Sequence, residues 1–189
     1  MTKTYAAAIG NFDGVHRGHR FLLDQTIVFA RSISAEPAAV VFDPHPRRYF
    51  RPNDPPFLIT TATARNQLLR DAGAAEVFSL TFDKALSMLS PEAFVRDVLK
   101  GELGLAGVVT GKDFRFGAGR AGDAEGLAEL CKKNGVQAHI VEPLSGQQHT
   151  EKIGSTAIRE ALLSGAVDRA AEMLGRPWRV TGCVERGRQ

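Results

Sequence analysis

Five short apolar runs, each followed by a helix-like or loop segment, constrain this chain more than any other feature. They occupy residues 4–10 (TYAAAIG), 38–43 (AAVVFD), 76–82 (EVFSLTF), 107–111 (GVVTG) and 138–143 (AHIVEP). All five read as short buried strands. Residues 20–32 carry Leu22, Leu23, Thr26, Ile27 and Ala30 along one mostly apolar helical stripe. Further helices are predicted over residues 61–72, closed by Gly73, and from Ser90-Pro91 to about Leu99, with Ser at the cap and Pro in the first turn. Three more follow, over residues 123–134 closed by Gly135, 155–163 and 167–174. The proline-rich stretch 44–56 is expected to exclude regular structure, and residues 117–122 form a glycine-rich loop. Residues 178–185 read as a lone strand. Alternation of this kind predicts an α/β fold with a five-stranded parallel sheet flanked by helices, plus a short C-terminal strand stump.

Composition narrows the class of protein. The 189 residues are 43% hydrophobic and 24% charged, which suits one ordinary domain with a real core and carries no disorder signature. A formal charge of +3 and a pI near 9.1, without a dense Lys/Arg run, suit an anionic small molecule at least as well as nucleic acid. The aromatics do not interleave with a basic stripe, so no nucleic-acid partner is expected. Cys131 and Cys183 form no CxxC pair, which argues against a disulfide framework or a cysteine zinc site. No run is long enough to span a membrane, and the N-terminal residues lack a signal peptide's apolar core. The expectation is a cytoplasmic protein with no membrane partner.

In parallel α/β sheets ligands bind beyond the carboxyl ends of the strands. The unusual residues fall there. GNFDGVHRGH (10–19) follows the first strand, DPHPRRYF (43–50) the second, and GKDFRFGAGRAGD (111–123) the fourth. GSTAIRE (154–160) lies shortly after the fifth. Gly10 and Gly14 permit backbone conformations closed to other residues, and Gly18 admits a close approach to the helix start. That start offers unpaired N–H groups to an anion, with His16 and His19 beside it. A histidine pair at this spacing is compatible with metal ligands, acid–base groups, phosphate-binding donors or a plain surface turn. His45, His139 and His149 supply no matching spacing and there is no HExxH, which disfavours zinc. Ser155 or Thr156 could cap the following helix, with Arg159 near their side of it. Hydroxyls, N–H groups and a guanidinium are compatible with a second anion site or with an ordinary capped helix carrying a solvated arginine. Two anion sites in one crevice point to a polyphosphate. No GxxxxGK[ST], GxGxxG or GxSxG motif is present.

A short strand followed by HxGH and a helix, with a late [ST]-x-x-[IV]-R helix start, resembles the nucleotidylyltransferase superfamily. The fuller strings GNFDGVHRGH, FDPHPRRYF, GKDFRFGAGRAGD and STAIREAL resemble the FMN adenylyltransferase module of bacterial bifunctional riboflavin kinase/FAD synthetases. The likeness runs from about Tyr5 to Arg188. It implies a Rossmann-like nucleotidylyltransferase fold. It also implies transfer of AMP from ATP to FMN, giving FAD and pyrophosphate, with Mg²⁺, by direct attack of the FMN phosphate on the α-phosphorus. By the same resemblance, His16 and His19 contact the ATP phosphates and the transition state, and Gly10, Asn11, Phe12, Asp13, Gly14 and Gly18 shape their loop. Lys152, Ser155, Thr156 and Arg159 match the late phosphate-binding motif. Pro44, His45, Pro46 and Phe50, with Asp54, match the loop near the flavin, and Asp113 and Phe116 match the segment between the substrates. Asp113 is a candidate to help hold Mg²⁺, although a lone carboxylate more often caps a turn. The metal ligands are otherwise left open.

Two positions depart from the family pattern. Gly154 stands where a serine is usual, and Lys152 where an arginine is common; lysine keeps the charge and loses the fork. Residues 176–189 resemble the linker and first strand of a riboflavin kinase module that the parent protein would carry. The expected division is therefore 1–175, the adenylyltransferase unit, and 176–189, a kinase remnant without riboflavin kinase activity. The rival expectations are a nucleotidylyltransferase for another phosphate acceptor, and a catalytically weak flavin- or nucleotide-binding module.

Overall fold

A computed structural model describes residues 3–142, 153–182 and 187. Its sheet has five strands: β1 (Tyr5–Ile9), β2 (Glu36–Asp43), β3 (Glu76–Thr81), β4 (Gly107–Gly111) and, near the end of the domain, Gln137–Val141. All neighbours are parallel, with Ala8 opposite Ala39 and Val109. The spatial order places β1 and β4 side by side at the centre, β2 and β3 beyond β1, and Gln137–Val141 beyond β4. Connections therefore reverse direction between β1 and β4, the topological switch point where open α/β sheets form their ligand crevice.

The residues explain this packing. Ala6, Ala7 and Ala8 of β1 are fully buried. Small side chains suit a central strand covered on both faces. One face carries Ala7, Ile9, Val40, Phe42 and Val108 against Phe94, Val95, Leu99 and Leu127. The other carries Ala8, Ala39, Val41 and Val77 against Leu23 and Leu69. Leu23 lies on α1 (Arg17–Ser32). A Cβ on Gly107 would stand 2.7 Å from Phe29 and 2.8 Å from Ile33, so α1 lies too close to β4 for any side chain there.

Helices enter where their caps sit. α2 (Pro46–Phe50) is a short helix inside the proline-rich stretch that was expected to be irregular. Pro46 at its start needs no N–H partner, and the His45 ring accepts the Arg47 N–H. Thr61 caps α3 (Ala62–Asp71) and Asp83 caps α4 (Lys84–Ser87), a short helix the sequence reading missed. Ser90 and Pro91 open α5 (Pro91–Ala93) as expected, but the helix continues in π geometry over Phe94–Glu102. β5 (Arg115–Phe116) and β6 (Gly122–Asp123) pair antiparallel around the glycine-rich loop. α6 (Ala124–Lys133) is capped by Asp123 and leads to β7 (Gln137–Val141). α7 (Ser155–Leu163) and α8 (Val167–Leu174) form a hairpin with its own core of Ile158, Ala161, Ala170, Met173 and Leu174, closed by Ile59. The stump expected over residues 178–185 is not a strand in its described part: residues 178–182 pair with no strand. The rest of it lies outside the described residues. No helix among the described residues is long and apolar enough to cross a membrane.

Candidate active site

The turn after β1 is strained and heavily braced. Phe12, Gly14 and Val15 all have positive φ, at 52°, 88° and 40°. Two of them are not glycine, and such residues cost on the order of 1–3 kcal/mol each unless their surroundings hold them. The bracing centres on Asp13, which is 2% exposed. Its carboxylate accepts the Ile59 N–H at 2.9 Å, the Thr60 N–H at 3.1 Å and the Arg159 guanidinium at 2.7 Å. Its backbone carbonyl accepts the Ser155 hydroxyl at 2.9 Å, and the Gly14 N–H donates to the Thr60 hydroxyl at 3.1 Å. Three segments remote in sequence are thereby tied into one knot.

His16 and His19 sit on that knot. α1 begins at Arg17, earlier than the expected start near Gly18, and His16 is its N-cap, with Nδ1 accepting the His19 N–H at 3.3 Å. The two rings stack, centroids 3.6 Å apart. Burial pushes the His16 pKa down to about 4, and the Arg159 and Arg176 charges push the same way against the pull of Asp13. Burial also holds the His19 pKa well below the ordinary range, with His16 adding to the effect. Both rings are neutral at pH 7. With Nδ1 of His16 an acceptor, the proton of that ring is assigned to Nε2, which is thereby a donor. His19 Nδ1 is buried without a hydrogen-bond partner among the described residues. A Cβ on Gly18 would come 3.2 Å from the His16 ring, so glycine lets the ring lie against the helix start.

α7 enters the knot differently from the sequence expectation. Gly154, not Ser155 or Thr156, is its N-cap, and it makes no side-chain cap. The Ser155 hydroxyl is spent on Asp13, and Thr156 is exposed. Arg159 uses Nη2 on Asp13 and Nε on the Phe57 carbonyl at 2.9 Å. Lys152 lies outside the described residues.

Beside the knot opens a cavity of about 960 Å³. Of the residues singled out from sequence, Gly10, Asn11, His45, Pro46, Phe50, Asp113 and Phe116 line it. Phe42, Phe82 and Phe114 add aromatic wall, and Arg47, Arg51, Arg115 and Arg120 add positive charge. Phe116 is buried against Phe94 and Phe114, while Phe50 is 64% exposed with its ring edge-on to Tyr49 and Phe82. Arg47 is paired with Asp54 at 2.9 Å and Arg115 with Asp123 at 3.1 Å. Arg51 and Arg120 have no carboxylate partner among the described residues. Asp54 and Pro44 do not line the cavity; Asp54 instead folds the loop, accepting from Arg47 while its carbonyl accepts from Arg48. His45 joins the cavity to the knot, its ring edge-on to Phe57 at 5.1 Å. Arg159 and Arg47 lie over that same phenylalanine.

Sequence reasoning missed Phe57, Ile59 and Thr60, which take part in four of the six knot bonds named above. The string PPFLITT offered only an apolar run after prolines. It also missed Arg65, 5% exposed, which donates to the Phe42 carbonyl at 3.0 Å. Among the described residues no group of three or more His, Cys, Asp or Glu could hold a metal ion.

The FAD synthetase family matches residues 1–157 of the chain. A bifunctional riboflavin kinase/FMN adenylyltransferase of Pseudomonas fluorescens is 36% identical over 97% of this chain and 58% of its own length. The Escherichia coli K12 protein of the same description is 34% identical over 95% of this chain and 56% of its own. The FAD synthetase of Listeria monocytogenes serovar 1/2a is 33% identical over 95% of this chain and 72% of its own. The chain thus spans a little over half the length of the bifunctional relatives. Among solved structures, a Streptococcus pneumoniae protein described as a macrolide-efflux protein superposes with a TM-score of 0.78 at 28% identity. That superposition covers 94% of this chain and 67% of the other. Thermotoga maritima TmcAL, bound with α-thio ATP, shares the fold at a TM-score of 0.59 and 12% identity over 90% of this chain and 53% of its own. The motifs at Gly10–His19 and Ser155–Arg159, the sheet order and these similarities agree: the chain belongs to the FAD synthetase family.

Proposed function

We propose that this chain transfers AMP from ATP to FMN, giving FAD and pyrophosphate. An FMN phosphate oxygen attacks the ATP α-phosphorus; a new P–O–P linkage forms, the bond to the bridging oxygen of the β-phosphate breaks, and pyrophosphate leaves. The observation that carries the reading is the aromatic, arginine-rimmed cavity opening at Gly10–Asn11, where the chain runs directly into the histidine knot. A flat apolar ring bearing a phosphate suits such walls, and a triphosphate suits the start of α1.

Phosphoryl-type transfer of this kind asks for positioning and charge stabilisation rather than covalent chemistry. His16 and His19, held neutral, act as N–H donors to phosphate oxygens and to the charge that develops on them. The α7 start supplies further N–H groups, with Thr156 beside them, and Lys152 is given a phosphate-binding role from its place in the motif. Phe50, Phe116, Pro46 and His45 shape the flavin wall, and Asn11 and Asp113 border it. Mg²⁺ fits as a passenger of the triphosphate, because the described residues offer no preformed cage and this ion keeps its waters and phosphate ligands readily. It would supply charge neutralisation there. The reaction belongs in the cytosol. We assign residues 1–175 to this unit and the remainder to the connection toward a riboflavin kinase module like that of the longer relatives.

Chromatography of FMN, ATP and Mg²⁺ incubated with the protein tests this, with nicotinate mononucleotide and phosphopantetheine as rival acceptors. FAD formation that is lost in His16→Ala and His19→Ala supports the reading. Preference for another acceptor, or flavin binding without FAD formation, overturns it.

A further inference from the structure

The chain after α8 returns to the phosphate site. Gly175, at φ 69°, ends the helix in the left-handed region and turns the backbone. Arg176 then reaches back across 162 residues to donate to the Gly14 carbonyl at 2.7 Å. Its other terminal nitrogen donates to the Val15 carbonyl at 3.3 Å and to Leu174 at 3.3 Å. Two residues on, the Trp178 indole N–H donates to the Ile59 carbonyl at 3.0 Å. Gly14 and Val15 are two of the three positive-φ residues that precede the histidines, and Ile59 is the residue whose N–H braces Asp13.

We propose that Arg176 and Trp178 are positioning residues: they form a strap that holds the Gly14–Val15 carbonyls and Ile59, and so fixes His16 and His19 against the triphosphate. The inference rests on the site being an ATP site. The other bonds to this turn grip Asp13 or the Gly14 N–H; among the described residues, only the Arg176 side chain grips the Gly14 and Val15 carbonyls. Strained turns persist only where neighbours over-determine them. Loss of the guanidinium would free two carbonyls and let the turn relax under the rings it presents.

The protein reports on its own strap, because Trp178 is its one tryptophan. Adding α,β-methylene-ATP to the full chain without FMN is expected to shift or quench its emission. Arg176→Met is expected to raise the KM for ATP about tenfold, the loss of a charge-assisted hydrogen bond, with the KM for FMN unchanged within about twofold. Arg176→Lys should fall between, and Trp178→Phe should raise the ATP KM in the same direction. Should Arg176→Met fail to fold, the last two variants carry the comparison. A merely structural role would lower melting temperature and active fraction while leaving both KM values alone; that result overturns the proposal, as does an emission unmoved by the analogue. Wild-type protein that makes no FAD but whose emission responds to the analogue retains the strap and removes the proposed reaction.

Discussion

Imidazole rings stacked at 3.6 Å, as His16 and His19 are, do not tolerate two charges, and here neither carries one at neutral pH. This sets the sign of a pH effect. The His16 pKa falls from 6.5 in the unfolded chain to about 4 on folding, so the unfolded state binds the extra proton between those values. The stability of the neutral buried ring is fully present above pH 6.5 and is lost as pH falls towards about 4. By pH 5 the loss from His16 is expected to reach about 2 kcal/mol at 1.36 kcal/mol per unit. His45, also pushed down to about 4 by burial first, works in the same direction. Urea unfolding at pH 7 and pH 5 measures the drop, and His16→Gln, which keeps an acceptor for the His19 N–H, should lessen it. An equal drop in the variant would show that the charge on His16 is not the cause. For the same reason, activity governed by His16 as a neutral donor should stay flat from about pH 8 to 6.

At the scale of elements, two glycines bear in opposite ways on the proposed substrate sites. Gly154 caps α7 with nothing among the described residues within 4 Å of where a Cβ would stand. A serine fits there, and Gly154→Ser is expected to add a few tenths of a kcal/mol of stability as a true N-cap. With its hydroxyl at the phosphate end of the helix, it should also lower the KM for ATP; an unchanged KM would make this departure from the family pattern harmless. Gly122 has no such room: a Cβ would lie 2.5 Å from the Phe116 ring, which is itself wedged against Phe94 and Phe114. Gly122→Ala is expected to cost about 1–3 kcal/mol through overpacking and, by turning the cavity wall, to raise the KM for FMN. The contrast shows what sequence could reveal. Strands and most helices were legible because their apolar period and caps are local, as Thr61, Ser90 and Asp123 show. The helix at Pro46 escaped because its cap is a histidine, a residue with no strong capping preference. The knot was only half legible. His16, His19 and Arg159 stand in motifs, whereas Ile59 and Phe57 act through backbone atoms, which carry no signature of residue type.

Across the whole molecule the two proposed substrate regions rest on different cores. The wall we assign to the flavin grows from the sheet face that buries Phe42, Phe94 and Phe116. The histidine turn draws on the opposite face through Phe12 and Val15, and on the α7–α8 hairpin through Ile59 and Ile158. Separate cores predict separate energetics. Asp13→Asn leaves Arg159, only 19% exposed, facing a neutral amide, and is expected to cost about 3 kcal/mol as a broken buried pair. Arg159→Met removes the same pair from the other side, so the double variant should fall short of the sum by about 1–3 kcal/mol. Asp13→Asn combined with Gly122→Ala shares no partner and should add within about 0.5 kcal/mol. Kinetics should divide in the same way, the first change falling on ATP and the second on FMN. Denaturant unfolding of these five single and double variants, beside their KM values, decides it. Coupling above about 1 kcal/mol between Asp13 and Gly122 would mean that the central sheet transmits strain from one substrate to the other, and the two halves of the crevice would have to be treated as one.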